Sequence, residues 1–211
     1  MAINVSNTGQ LLSLLDAAAP GPGGKITILA TGASSGINVT GGTAGPGGVA
    51  PDSIRADRGS VDIRHTGLNG AIILTNSNIL ADIVKVGALG DNGSLMIGGG
   101  VINANTVLKL YAVGSNGSVI FVSDVLLNGN SMKIIAGNSV TVNNNVVVSV
   151  AKQPAEVYVL DPTKANYSNF NGGNNSTSGM FIIDGTAGSP VSGANTHLGV
   201  APPAFGPPGG P

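Results

Sequence analysis

The chain has 211 residues and a formal net charge of −1, and only 9% of its residues are charged. It contains no cysteine, which excludes a disulfide framework, a thiolate metal site and a cysteine nucleophile. No basic block is present, so nucleic-acid binding has no electrostatic support. No apolar run reaches the roughly 18 residues that a membrane-spanning helix needs. The 34 glycines, the many Asn, Val and Ile residues and the 3% of aromatic residues favour short strands and tight turns over helices.

The N-terminal segment, residues 1–24, is predicted to contain a capping helix over residues 8–19. Asn7 or Thr8 provides a side-chain cap at its start, and the Pro- and Gly-rich residues 20–24 end it. Leucines on one face of this helix are the candidates for assembly contacts: Leu11, Leu12 and Leu15. Such an amphipathic helix is suited to cover the first turn of the fold that follows.

Strand patterns begin at residue 25. Segments 25–29 and 37–39 alternate apolar and polar residues, and the Gly-, Ala- and Pro-rich residues 41–51 form a predicted loop after them. From residue 60 the pattern becomes regular, with apolar-Lys-apolar triplets at intervals of 24 residues. The triplets place three lysines at the same position of successive repeats: Lys85, Lys109 and Lys133.

Turn residues recur at nearly the same interval as the lysines. They comprise Asn-Gly-Ser at 92–94 and 116–118, and Gly90, Gly114 and Asn138. Triplets 61–63 and 157–159 extend the series by one repeat on each side. A fixed period of about 20–50 residues is the signature of a repeat fold such as a solenoid. We therefore predict an all-β fold for residues 25–184, a parallel β-helix with coils of about 24 residues in which the lysines form an outward ladder.

Two alternatives bear on this repeat. A β-sandwich with similar hairpins would also use short strands and tight turns, but it would not require lysines in register. The lysine ladder itself is interpreted first as a solvated face that discourages lateral association of sheets. Ammonium groups about 5 Å apart are also suited to an anionic polymer, since solvent screening keeps their mutual repulsion modest.

After residue 153 the repeat degrades. Residues 166–179 are rich in Asn and are predicted as a long loop, and residues 180–184 as one more strand. The Gly- and Pro-rich tail, residues 185–211, has too little apolar area to fold by itself. We expect the tail to be either a linker or an arm that docks on a neighbouring subunit. The aromatic candidates for assembly contacts in this region are Phe181 and Phe205.

The most charged stretch of the chain, residues 52–65, is the only candidate for a polar site. It contains seven titratable residues: Asp52, Arg55, Asp57, Arg58, Asp62, Arg64 and His65. One interpretation is a polar site at an edge of the fold, and the favoured one is a solvated loop with ion pairs or a subunit contact. His65 and His197 are far apart in sequence and give no metal pair. We therefore predict no catalytic residue, no metal and no cofactor.

Residues 117–122, 126–130 and 132–138 resemble the repeats of filamentous-haemagglutinin-like large exoproteins, and residues 165–175 are similar to a loop near the end of such β-helical regions. The resemblance covers roughly residues 55–184. It implies a right-handed parallel β-helix in an exported bacterial protein, located outside the cell or on its surface, that serves as a stalk, an adhesin or a fibre. The first residues lack the basic region of a signal peptide, so the sequence leaves the export route open.

The leading functional hypothesis is a structural protein whose coils stack head to tail between subunits. An open solenoid has unpaired strand edges at both ends, and such edges promote association. The partner would be a second copy of the chain, with a surface polysaccharide as a further candidate. The first alternative is a carbohydrate-binding or polysaccharide-degrading β-helix, which needs a groove with aromatic and carboxylate side chains. The second is a capped monomer that acts as a spacer.

Overall fold

The computed structural model describes residues 23–42, 52–143 and 146–149 in full and, beyond these, the backbone of the remaining strand residues. No helix occurs in this described part of the chain. The strands are β1 (Ala2–Val5), β2 (Leu11–Ser13), β3 (Lys25–Ala30), β4 (Gly36–Thr40), β5 (Ile54–His65), β6 (Ala71–Ala88), β7 (Ser94–Ala112), β8 (Ser118–Ser123), β9 (Val125–Gly129), β10 (Ser131–Ala136), β11 (Ser139–Val142), β12 (Val147–Lys152), β13 (Ala155–Val159), β14 (Met180–Ile182) and β15 (Pro190–Val191).

The strands wind into a parallel β-solenoid with three faces. Face 1 consists of β1, β4, the first parts of β6 and β7, β8 and β11. Face 2 consists of β2, the first part of β5, the middle parts of β6 and β7, β9, β12 and β14. Face 3 consists of β3 and the last parts of β5, β6 and β7, followed by β10 and β13. Within each face the successive strands pair in parallel, which confirms the predicted solenoid and excludes the β-sandwich of hairpins.

The predicted register of the lysines is confirmed. Lys85 pairs with Lys109, and Lys109 pairs with Lys133, on successive strands of face 3. The repeated serines Ser94 and Ser118 also pair with each other on face 1. Identical motifs at equal spacing therefore lie above one another, because each coil repeats the path of the previous one at a rise of about 4.8 Å.

Two details of the predicted register are wrong. Gly137, not Asn138, follows Gly114 in the turn, since a Cβ added at Gly137 would lie 2.1 Å from the Gly114 carbonyl oxygen. In the last coil, Glu156 rather than Tyr158 pairs with Lys133. Both errors arise because successive coils differ in length by one or more residues, which shifts the strand that follows.

The predicted N-terminal helix is contradicted at three of its residues. Leu11–Ser13 form β2, which pairs in parallel with Ile54–Ala56. Its remaining residues, including Leu15, lie outside the described part of the chain. A short apolar run such as Leu11-Leu12 fits either a helix face or a strand, and here the pairing with β5 decides. Residues 1–24 thus contribute strands to the solenoid through β1 and β2.

The core is a stack of aliphatic side chains between the three faces. Alternate residues of each strand point inward, so that the apolar residues on both sides of each lysine are buried. Phe121 is the largest fully buried side chain. One inward column at the end of face 3 is made of small residues, Ala30, Ala88, Ala112 and Ala136, and is interrupted by His65.

The predicted strand at 180–184 is confirmed as β14, in which Phe181 pairs with Val148. β14 also pairs antiparallel with β15, which lies within the predicted tail. Phe205 and the predicted loop at 166–179 lie outside the described part of the chain.

Candidate functional site

The outer side of face 3 carries the lysine row, which we define as Lys85, Lys109 and Lys133. The flanking residues of each lysine are at most 2% exposed, so the lysines necessarily project from the opposite side of the sheet. Asp62 pairs with Lys85 at one end of the row, and Glu156 pairs by its backbone with Lys133 at the other. The row thus follows the axis of the solenoid and is bordered by acidic positions in the register.

An aromatic ring lies beside the lysine row. Tyr111 is two residues from Lys109 on the same outer side, and it pairs with Gly87 on the neighbouring strand. A Cβ added at Gly87 would meet three ring atoms of Tyr111 at 1.9–2.3 Å, so the ring lies across the glycine. The ring is half-buried, and this burial, followed by the nearby Asp62 carboxylate, raises the pKa of Tyr111 above its usual range.

The charged stretch 52–65 does not form one site. Asp62 and Arg64 project from face 3, where the Arg64 Nε lies 3.0 Å from Asp62 Oδ1 as an ion pair without the angles of a hydrogen bond. His65 is fully buried in the core. The remaining residues lie at or near the corners of face 2, so the alternation along β5 separates residues that are neighbours in sequence.

Arg55 holds the second part of this stretch together. Its Nε donates a hydrogen bond to Asp57 at 2.7 Å, and its guanidinium lies 3.4 Å from Asp52. The hydrogen bond and the charge of Asp57 raise the pKa of Arg55 above its already high value. Exposed pairs of this kind contribute little to stability. This arrangement matches the favoured interpretation of a solvated segment with ion pairs.

Residues 30 positions apart in the chain form a hydrogen-bonded pair that sequence analysis missed. The Nε2 atom of His65 lies 2.8 Å from the hydroxyl of Ser35, at the corner between faces 3 and 1. The Gly67 N–H donates to Nδ1 of His65 at 3.1 Å, and the Ser35 hydroxyl donates to the Gly32 carbonyl at 2.6 Å. No sequence motif marks this pair, because the coil that separates the two residues is longer than the regular repeat.

The direction of these hydrogen bonds decides what the Ser35–His65 pair can do. Nδ1 accepts a proton from the Gly67 N–H, so the imidazole proton resides on Nε2 and is donated to Ser35. A serine is activated as a nucleophile only when the facing histidine nitrogen has a free lone pair to take its proton. Here that nitrogen is a donor. The arrangement therefore satisfies a buried polar side chain instead of activating a nucleophile.

The corner between faces 3 and 1 is lined by an asparagine ladder, which we define as Asn69, Asn92 and Asn116. All three have positive φ, between 52° and 60°. The side-chain amide of Asn92 donates to Asn69 Oδ1 at 2.9 Å, and that of Asn116 donates to Asn92 Oδ1 at 3.0 Å. Asn tolerates this left-handed conformation better than other non-glycine residues. The repeated Asn-Gly motif in the sequence thus marks a turn that is held both by conformation and by side-chain stacking.

A shallow groove of about 540 Å³ lies at the corner between faces 1 and 2. Two glycines with φ of 82° and 88°, Gly99 and Gly100, open it by removing side chains from this corner. The carboxylate that lines the groove belongs to Asp124, whose Oδ1 accepts a hydrogen bond from the Val147 N–H at 2.8 Å. That carboxylate is engaged in holding the next strand.

The terminal coils contain the candidates for assembly. Within the described part of the chain, β1, β2 and β3 each pair with a single strand on the side of the following coil. At the opposite end, β11 and β13 likewise each pair with a single described strand. Leu11 and Leu12 belong to the terminal strand β2, whereas Phe181 in β14 pairs with both Val148 and Val191.

Comparisons with known proteins identify no relative. No protein-family model, no curated protein and no solved structure matches the chain. Among the described residues, no group of three His, Cys, Asp or Glu side chains is arranged to hold a metal ion. In the same part of the chain, no helix is long and apolar enough to cross a membrane.

Proposed function

We propose that the chain is a structural β-solenoid, the subunit of a fibre or adhesin-type stalk that polymerises by head-to-tail stacking of its coils. One observation carries the proposal: three parallel ladders run through the molecule and end in strands that have one described partner each. A parallel strand whose second edge is unpaired is a template for another strand of the same pitch. A second copy of the chain presents such a strand at its opposite end.

The edge of β3 shows which groups would join two subunits. Ser60 and Thr66 donate to the carbonyl groups of Gly24 and Ala30, which fixes the alternation along β3. The main-chain groups of Ile26 and Ile28 accordingly point toward β5, and those of Lys25, Thr27 and Leu29 point away from it. Thr27 is exposed at its side chain. Its N–H is therefore suited to pair with a preceding subunit.

A proline at Thr27 tests the stacking. Thr27→Pro removes an N–H on the outer edge without removing a hydrogen bond to β5, and proline is tolerated on edge strands. We expect the wild-type protein to form filaments in negative-stain micrographs and fast-sedimenting species in the ultracentrifuge. Six strands stack on face 3, so each subunit should add roughly 29 Å at about 4.8 Å per coil.

The matched control is Thr27→Ala, which alters the same side chain and keeps the N–H. We expect Thr27→Ala to polymerise like the wild type and Thr27→Pro to remain small, with the same circular dichroism spectrum for both. A wild-type protein that stays monomeric at high concentration would sink the polymer hypothesis. Equal polymerisation of the two variants would show that β3 is not the joining edge.

The C-terminal tail is the second element of the proposal. An arm that docks on the next subunit would lengthen the contact between copies and raise the effective concentration of the joining edges. Removing residues 185–211 should then shorten filaments or raise the concentration at which they form. Assembly at an unchanged concentration would remove the docking role of the tail, including that of Phe205, and leave the coil stacking intact.

The handedness and the location of the proposed fibre rest on the resemblance to filamentous-haemagglutinin-like repeats. We propose a right-handed winding and a position outside the cell or on its surface. A crossover between parallel strands of one sheet is right-handed in nearly all proteins, which agrees with that winding. Surface labelling of intact producing cells with an antibody to the purified chain tests the location, and labelling only after lysis would contradict it.

A further inference from the structure

The positive charge of the molecule is concentrated on one side. Five of the nine Lys and Arg residues project from the outer side of face 3: Lys25, Arg64, Lys85, Lys109 and Lys133. The described carboxylate on that side is Asp62, which is paired with Arg64. The other described carboxylates lie at or near the corners between faces: Asp52, Asp57, Asp82, Asp91 and Asp124. A chain with a net charge of −1 therefore presents a positive face.

The lysine row has the geometry of a line rather than a patch. Its three residues occupy the same register position on adjacent parallel strands, so their Cα atoms are about 4.8 Å apart along the axis. Unit charges at about 4 Å repel by roughly 1 kcal/mol in water, and a facing line of negative charge would relieve this repulsion. The complementary ligand is a linear polymer that carries a negative charge at short, regular intervals.

Tyr111 narrows the class of polymer. Its ring lies across Gly87 beside Lys109, so one side of the ring faces the sheet. The other side offers a flat apolar surface next to ammonium groups. Such a surface packs against the C–H groups of a sugar ring while the lysines face its carboxylate. A nucleic-acid duplex or a membrane would engage a broader basic surface than a single row.

We propose that the outer side of face 3 binds a linear acidic polysaccharide, with uronic-acid carboxylates along the lysine row and a sugar ring on Tyr111. The ligand binds to the side of the solenoid, so this site is separate from the coil edges that the proposed assembly uses. Binding and assembly can accordingly be measured on the same preparation, binding by calorimetry and assembly by sedimentation, and either can fail without the other.

Calorimetric titration with polygalacturonate, which carries one carboxylate per sugar, tests the site, with neutral dextran as the comparison polymer. We expect polygalacturonate to bind, to bind more weakly as salt is raised, and dextran to give no signal. Lys109→Gln should weaken binding about two- to fivefold, and the triple change of Lys85, Lys109 and Lys133 to Gln at least about tenfold. Lys25→Gln removes the same charge from the same face outside the row and should change affinity less than about twofold.

Tyr111 supplies a second, uncharged test. Tyr111→Ala should weaken binding, and Tyr111→Phe should retain it, because the proposed contact uses the ring and not the hydroxyl. All these positions project outward, so unchanged circular dichroism spectra are expected. The proposal is overturned if polygalacturonate does not bind at low salt, if dextran binds equally, or if Lys25→Gln and Lys109→Gln have equal effects. Tighter binding to single-stranded DNA or to anionic lipid vesicles would assign the face to a different class of partner.

Discussion

The Nε2 atom of His65 lies 2.8 Å from the Ser35 hydroxyl, which makes the imidazole a bridge between two successive coils. Its column is otherwise made of alanines, and the imidazole is completely buried. Both ring nitrogens are satisfied, Nδ1 by the Gly67 N–H and Nε2 by Ser35. A buried polar group that is fully paired adds specificity to a core of interchangeable aliphatic residues.

Ser35→Ala should destabilise the protein by about 1–3 kcal/mol, because it leaves the buried Nε2–H of His65 without an acceptor. Ser131→Ala is the control, since Ser131 is exposed at the start of β10, and its effect should be within about 0.5 kcal/mol. Denaturant unfolding followed by circular dichroism measures both values. Equal stability of the two variants would show that the Ser35–His65 contact contributes nothing in solution.

Gly70 and His65 should be energetically coupled. A Cβ at Gly70 would lie 1.9 Å from Nδ1 of His65, whereas Gly70 has no positive φ that would by itself oppose alanine. Gly70→Ala should therefore be much less harmful when His65 is already alanine. We expect a coupling of about 0.5–3 kcal/mol in a double-mutant cycle of the four proteins. Additive effects would mean that the imidazole moves aside at no cost.

The lysine register was predictable from sequence, whereas the Ser35–His65 contact was not. Identical triplets at equal spacing must lie above one another in any solenoid, so Lys85, Lys109 and Lys133 identify their own neighbours. Ser35 and His65 are separated by 30 residues, in a coil whose length departs from the repeat. The period therefore gives no information about which residue faces His65.

Coil length and local ambiguity explain the errors at the ends. Glu156 pairs with Lys133 at an interval of 23 residues instead of 24, and this shift moved the predicted partner to Tyr158. Leu11 and Leu12 satisfy the pattern of a helix face equally well as that of a strand, and only the pairing with β5 distinguishes the two. Sequence patterns thus establish the regular coils, and the irregular coils depend on contacts that have no periodic signature.

The asparagine ladder makes separable contributions through conformation and through side-chain hydrogen bonds. Asn92 has φ of 54° and bonds to Asn69 and Asn116 through its side chain. Asn92→Ala should cost about 1–2 kcal/mol from the left-handed conformation, in addition to the lost side-chain bonds. Asn92→Gly loses the same bonds but adopts this conformation freely, so it should be the milder change. Thermal unfolding distinguishes the two, and an equal loss in both variants would assign the stability to the side-chain ladder alone.

Alkaline pH should weaken the fold through Tyr111. Burial, and then the Asp62 carboxylate, raise the pKa of Tyr111 above its usual range in the folded protein. A raised pKa means that the unfolded chain loses the phenolic proton at a lower pH than the folded chain. This contribution to stability is therefore fully present below the unfolded pKa of about 10, and it is lost as pH rises through the folded pKa.

Tyr111→Phe keeps the ring over Gly87 and removes the ionisable hydroxyl. The free energy of unfolding of this variant should fall less between about pH 9 and 11 than that of the wild type, as measured by denaturant titration at each pH. Asp62→Asn keeps the tyrosine and removes the second cause of the shift, so its pH dependence should lie between the two. If Tyr111→Phe loses stability over this interval as steeply as the wild type, the phenol of Tyr111 is not the group that couples the fold to alkaline pH.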